Sequence, residues 1–105
     1  MEFHKMKMEA YEKAINLSKQ HKNPFNQLKI SSRMELLHYQ NQGVKRVTIL
    51  SAGGCENCKH QGGNTHHIQD ALKEMPIPDR TCTYNLHKRN KKYCFCRCAY
   101  IPEVD

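Results

Sequence analysis

The sequence predicts an α+β chain in which two N-terminal helices precede a small zinc-ribbon-like or treble-clef-like unit. Three observations carry this expectation: apolar residues at helical spacing in the first third, a β-branched run ending at Leu50, and six cysteines confined to the second half. Residues 1–43 read as the helical segment and residues 44–105 as a cysteine module, together one compact domain. With 105 residues, 38% of them hydrophobic and no Trp, the chain has material for only a modest core and is expected to need a staple.

Phe3, Met6, Ala10, Ala14 and Leu17 recur at spacings of three and four, with Tyr11 and Ile15 beside them and Lys5, Glu9, Glu12, Asn16 and Lys19 opposite. This stripe predicts a first helix ending near His21, where Asn23-Pro24 breaks the pattern. Ser32-Arg-Met-Glu35 has the form of a capping box and predicts a shorter second helix running to about Asn41, with Gly43 at its C′ position. Val44 to Leu50 reads as a strand that delivers the chain to Cys55. Gly62-Gly63 marks a tight turn, Ile68, Ala71, Leu72 and Met75 return to helical spacing, and Pro76 and Pro78 stop that helix. Pro102-Glu-Val-Asp105 reads as a frayed tail.

The cysteines fall as Cys55-Glu-Asn-Cys58, then Cys82, then Cys94-Phe-Cys96-Arg-Cys98. Two tight clusters with a single Cys between them suit one tetrahedral Zn²⁺, which takes four thiolates and tolerates a two-residue spacer between a pair. The expected ligands are Cys55, Cys58, Cys82 and Cys96, with Cys98 as the substitute for Cys96. In an extended segment Cys94, Cys96 and Cys98 share one face, so geometry alone selects among them. The plainer alternative is that some of the three are small buried hydrophobes. A disulfide framework is the competing staple. The charged N-terminus Met1-Glu2-Phe3-His4-Lys5 has no apolar run behind it to act as a signal peptide, which predicts a cytoplasmic chain with reduced thiols. No segment is apolar enough to span a bilayer, so no membrane role is expected. Redox chemistry at Cys55-x-x-Cys58 needs a helix start to acidify the first thiol, and Lys59-His-Gln-Gly-Gly63 makes a poor helix.

Cys55-x-x-Cys58, Gly63, the Ile68/Ala71/Leu72 helix, the proline pair and the closing Cys-x-Cys together resemble the cysteine-rich module of phage-type proteins, including Mu-type head-morphogenesis proteins, and of uncharacterised bacterial proteins. The likeness covers roughly residues 44–100. It implies a small zinc fold of bacterial or phage origin and no reaction. Cys94 and the basic insertion after Cys82 depart from that pattern. Separately, His66-His67-Ile68 after a Cys-x-x-Cys is similar to the start of an HNH nuclease. That likeness implies His66 as a metal ligand, His67 as the activator of water and Asn85 as the residue orienting it. The chain departs from it downstream, where His87 follows Asn85 by only two residues. The plainer reading places the pair on a hairpin strand or helix cap, one ring toward the core and one toward solvent.

The formal net charge of +7 is the remaining clue. Residues 80–100 carry Arg80, Lys88, Arg89, Lys91, Lys92 and Arg97 with no acid among them. Lys88, Arg89, Lys91 and Lys92 form a basic tip between Cys82 and Cys94, with Tyr84, Tyr93, Phe95 and Tyr100 near enough in sequence to stack on bases while the cations grip phosphates. The alternative is a Lys-rich solvated surface. The expectation is a non-enzymatic, zinc-stabilised module that contacts nucleic acid or a nucleic-acid-handling protein and takes no small-molecule substrate. An HNH-like nuclease using His66 and His67 ranks second. A protein-binding adaptor or inhibitor, docking through the first helix, ranks third.

Overall fold

The computed structural model describes residues 2–51, 61–78, 96 and 98–103. Its elements run α1 (Phe3–Lys19), α2 (Phe25–Asn41), β1 (Arg46–Leu50), β2 (Thr65–His67), α3 (Ile68–Glu74) and β3 (Ala99–Pro102). The three strands form an antiparallel sheet in the order β2-β1-β3, so the mixed α+β class expected from the sequence holds for the described residues.

Both long helices end in the same way. In α1 the Lys22 N–H reaches Leu17 O (2.8 Å) and the His21 N–H reaches Ser18 O (3.1 Å), with His21 in the left-handed region at φ 60°. In α2 the corresponding bonds are Val44 to Tyr39 (3.0 Å) and Gly43 to Gln40 (3.0 Å), with Gly43 at φ +85°. This is the Schellman pattern, and Gly43 occupies the position where a side chain is disfavoured. Val44 and Tyr39, the two residues that such an ending brings together, both pack on the core.

The start of α2 differs from expectation. The helix begins at Phe25, seven residues before the apparent capping box, because Asn23 Oδ1 accepts the Phe25 N–H (3.0 Å) and Pro24 already holds helical angles. Asn23-Pro24 therefore starts a helix as well as ending one. Ser32 and Glu35 fall in mid-helix, and Glu35 turns inward. In α1 the buried stripe is Ala10, Ala14 and Ser18, whereas Met6 of the expected apolar face remains exposed. These small residues let α1 lie closely on α2, where Ala14 and Leu28 form a minor cluster with Tyr11 and Ile15. The amphipathic face of α1 is thus used within the chain.

The main core joins Leu36 of α2 to Val47, Ile49, Ile68, Ala71, Ile77 and Tyr100, all nearly inaccessible to solvent. It spans both the helical segment and the cysteine-module segment. Val47 and Ile49 face α2 and α3, and Arg46, Thr48 and Leu50 face the other way, as strand alternation requires. Pro102, expected to open a frayed tail, instead closes β3, which pairs with β1 in the register Leu50↔Ala99, Ile49↔Tyr100, Thr48↔Ile101 and Val47↔Pro102. Pro102 is tolerated because β3 is an edge strand.

That edge is not left open. Ile49 directs both backbone groups toward the β2 side, to Asn64 O (3.0 Å) and from the Gly63 N–H (2.9 Å). Antiparallel alternation then turns the N–H and C=O of Tyr100 away from β1. Two α2 side chains one turn apart meet them. Glu35 Oε1 accepts the Tyr100 N–H at 2.8 Å, and the Tyr39 hydroxyl donates to Tyr100 O at 3.3 Å. Glu35 Oε2 is ion-paired with Lys7 of α1. Burial, reinforced by the Glu35 charge, holds the Tyr39 hydroxyl above its ordinary value, which keeps it a donor. Burial likewise holds the Tyr100 hydroxyl far above its ordinary value, partly offset by the Ile77 backbone beside it and reinforced by Glu35 and Cys96. That hydroxyl closes no hydrogen bond of ordinary geometry among the described residues.

Glu35→Ala leaves a buried backbone donor without its acceptor and is expected to cost about 2–3 kcal/mol, against about 1 kcal/mol for Tyr39→Phe. Urea unfolding at constant m-value measures both, and a Glu35→Ala midpoint equal to the parent's would contradict the bridging role.

Candidate functional site

Strand pairing fixes where the cysteine-bearing segments leave and re-enter the sheet. Leu50 stands opposite Ala99, so the chain running on from β1 toward Cys55 and the chain entering β3 through Cys98 meet at one end of the sheet. The connection between β1 and β2 closes at that same end, through the Gly63 N–H to Ile49 O. Gln61, inside that closure, donates from Nε2 to Pro76 O (3.1 Å) and so pins the 76–78 segment, which leads to Cys82, beside the same connection. Burial of Ile77 against the core fixes this segment further.

Cys55 is five residues past Leu50, Cys58 three before Gln61, Cys82 four past Pro78, and Cys98 adjoins Ala99. At no more than about 3.6 Å per residue, tethers of three to five residues reach on the order of 11–18 Å, enough for the clusters to converge on one ion. Cys55, Cys58, Cys82 and Cys94 lie outside the described residues. Cys96 is buried and Cys98 half-buried, and both line one cavity of about 270 Å³ between the helical pair and the approach to β3. Lys7, Tyr11, Leu28 and Glu35 line its other walls. Among the described residues, no three His, Cys, Asp or Glu side chains stand together as a metal-holding group.

His66 and His67 occupy successive positions of β2 and divide between its two faces. The His66 ring is half-buried on the core side, and its Nε2 is buried with no hydrogen-bond partner among the described residues. His67 is exposed, and its Nδ1 accepts the Gln69 N–H (3.3 Å) as the N-cap of α3. This is the strand-and-cap arrangement set against the nuclease reading. Asn85 and His87 lie outside the described residues, as do Lys88, Arg89, Lys91 and Lys92 of the basic tip.

The sheet face turned away from the helices presents Arg46, Thr48 and Leu50 from β1, Thr65 and His67 from β2, and Ile101 from β3. Thr48 and Thr65 are joined across it, hydroxyl to hydroxyl, at 3.1 Å. Neither Arg46 nor its neighbour Lys45 stands out in the sequence. Their only local signal is a basic pair opening a β-branched run, and their cross-strand partner His67 emerges only with the register Arg46↔His67. No protein-family model, curated protein or solved structure matches this chain.

Proposed function

We propose that this chain is a non-enzymatic binding module, stabilised by one zinc ion held by Cys55, Cys58, Cys82 and Cys96 in a ribbon-like or treble-clef-like unit, and that it contacts nucleic acid. The observation that carries the zinc reading is the Leu50↔Ala99 register, joined by the Gln61–Pro76 bond. Together they bring the tethers of all the cysteine segments to one end of the sheet. Cys98 occupies the same cavity as Cys96 and is the alternative fourth ligand. Four thiolates on Zn²⁺ carry a net charge of −2, and the apparent binding energy of such a site, on the order of 10–16 kcal/mol, compares with the stability of a whole small domain.

The nucleic-acid reading draws on the net charge of +7 and on the basic tip Lys88, Arg89, Lys91 and Lys92. A cytoplasmic setting suits reduced thiols. Among the described residues no helix is long and apolar enough to cross a membrane. The resemblance to phage and bacterial cysteine-rich modules accords with an origin in a phage or other mobile element. Binding is favoured over nuclease chemistry by the division of His66 and His67 between two faces, with one His67 nitrogen engaged as a helix cap.

The purified, reduced protein is expected to carry one zinc per chain, and chelation is expected to unfold the segment after Gly54. Cys55→Ser or Cys58→Ser should abolish zinc retention while Cys94→Ser leaves it intact. Elemental analysis with thiol titration measures this, and metal-free protein that stays folded with six titratable thiols would sink the zinc reading. For the tip, binding of DNA or RNA should weaken with salt at a log–log slope of roughly −0.7 to −0.9 per phosphate contact. Replacing Lys88, Arg89, Lys91 and Lys92 by Ser should flatten that slope by up to about three to four units, with zinc content unchanged. An unchanged slope would remove the tip from the interface.

A further inference from the structure

At the other end of the sheet from the cysteine segments, β1 begins beside the end of β2 and the end of β3. Arg46 and His67 are cross-strand partners, and their side chains share the open face of the sheet. Lys45 precedes Arg46, and its carbonyl accepts the Ile68 N–H at 2.8 Å. The Arg46 carbonyl accepts the Glu103 N–H at 3.0 Å. Lys45, Arg46, His67 and Glu103 together line a cleft of about 330 Å³. The backbone on both sides of this cleft is thus held by hydrogen bonds, and its side chains stand on fixed positions.

The donors of the cleft are set by the same contacts. His67 Nδ1 accepts from the Gln69 N–H, so the neutral ring carries its proton on Nε2 and has that N–H to offer a ligand. Neither Lys45 nor Arg46 is ion-paired to an acid among the described residues, and the one ion pair there is Lys7–Glu35, on the helical side. Two cations and an imidazole N–H therefore line one space, opposed among the described residues by the Glu103 carboxylate.

We propose that this cleft is a binding site for a phosphate group, with Arg46 and Lys45 supplying charge-assisted hydrogen bonds and His67 Nε2–H a third donor. Arg is suited to the task because its planar fork can grip two phosphate oxygens at once. Glu103 sets the limit on affinity by repelling the anion, and the site favours a phosphate presented with other contacts over a free one. On the nucleic-acid reading above, from which this inference takes the source of its ligand, that phosphate belongs to a polynucleotide backbone crossing the open face of the sheet. Thr48, Thr65 and Ile101 lie along such a path.

The test uses the full-length protein with two probes, a labelled oligothymidylate followed by fluorescence anisotropy at low salt and inorganic phosphate followed by the imidazole resonances of His67. Arg46→Gln and Lys45→Gln are expected to weaken oligonucleotide binding about five- to tenfold each, within the range of charge-assisted contacts screened by solvent. His67→Asn, which retains an acceptor for the Gln69 N–H, is expected to weaken it by a smaller factor. Glu103→Gln should tighten binding about two- to threefold, a gain that no purely structural role for these residues would produce. Thermal midpoints report whether each variant keeps its fold.

Phosphate that shifts His67 in the parent but not in Arg46→Gln, with no oligonucleotide binding, would uphold the cleft and overturn the nucleic-acid reading. Oligonucleotide binding equal in the parent and all four variants, with His67 unmoved by phosphate, would overturn the cleft and leave that reading standing. Binding of neither probe would overturn both.

Discussion

Helix α2 completes the hydrogen bonding of an edge strand it does not belong to. Glu35 and Tyr39, one turn apart, take the outward N–H and C=O of Tyr100, the role a fourth strand would otherwise have. Strand β3 has only four residues and one ladder, and a segment that short has little independent claim to a register. The clasp from α2 supplies one, because sliding β3 by a residue would bury an unpaired donor and turn the Tyr100 ring out of the core. The Lys7–Glu35 ion pair extends the same linkage into α1. A continuous path of contacts thus runs from the helical pair through Glu35 and Tyr100 to Ile49, and the alignment of the sheet rests on it.

Where the cysteine-bearing segments leave the sheet follows from that alignment. With Ile49 held opposite Tyr100, Leu50 must face Ala99, and the segments bearing Cys55 and Cys98 must leave the sheet side by side. Spacing groups five of the thiols into two clusters on either side of Cys82; register shows that the segments leading to the two clusters leave the sheet at one end. The opposite end of the sheet gathers Lys45, Arg46 and His67 through the β1–β2 register. The two ladders of β1 therefore separate the end from which the thiol-bearing segments leave from a basic end.

Elements whose signals are local were legible in the sequence. The end of α2 at Gly43, the β-branched run of β1, and the helix from Ile68 stopped by Pro76 all stand within a residue or two of where periodicity and turn chemistry put them. The start of α2 was obscured because Ser32-x-x-Glu35 satisfies a capping pattern while Glu35 serves a strand 65 residues away. Tertiary demand overrode a local rule there. Strand β3 was illegible for a related reason: with four residues and a proline, only its pairing with Ile49 and its contact with α2 make it a strand. In the candidate site, the cysteine pattern was visible in full, whereas the Lys45–Arg46–His67 cleft exists only through cross-strand pairing that no local window contains.

The central claim is that thiol clusters far apart in sequence converge on one zinc at the Leu50–Ala99 end of the sheet. X-ray absorption at the zinc edge of the purified protein tests it most directly. The account predicts a single shell of four sulfur ligands at about 2.3 Å, the distance of thiolate-bound zinc. A shell dominated by nitrogen or oxygen at about 2.0–2.1 Å would place the metal elsewhere and contradict it.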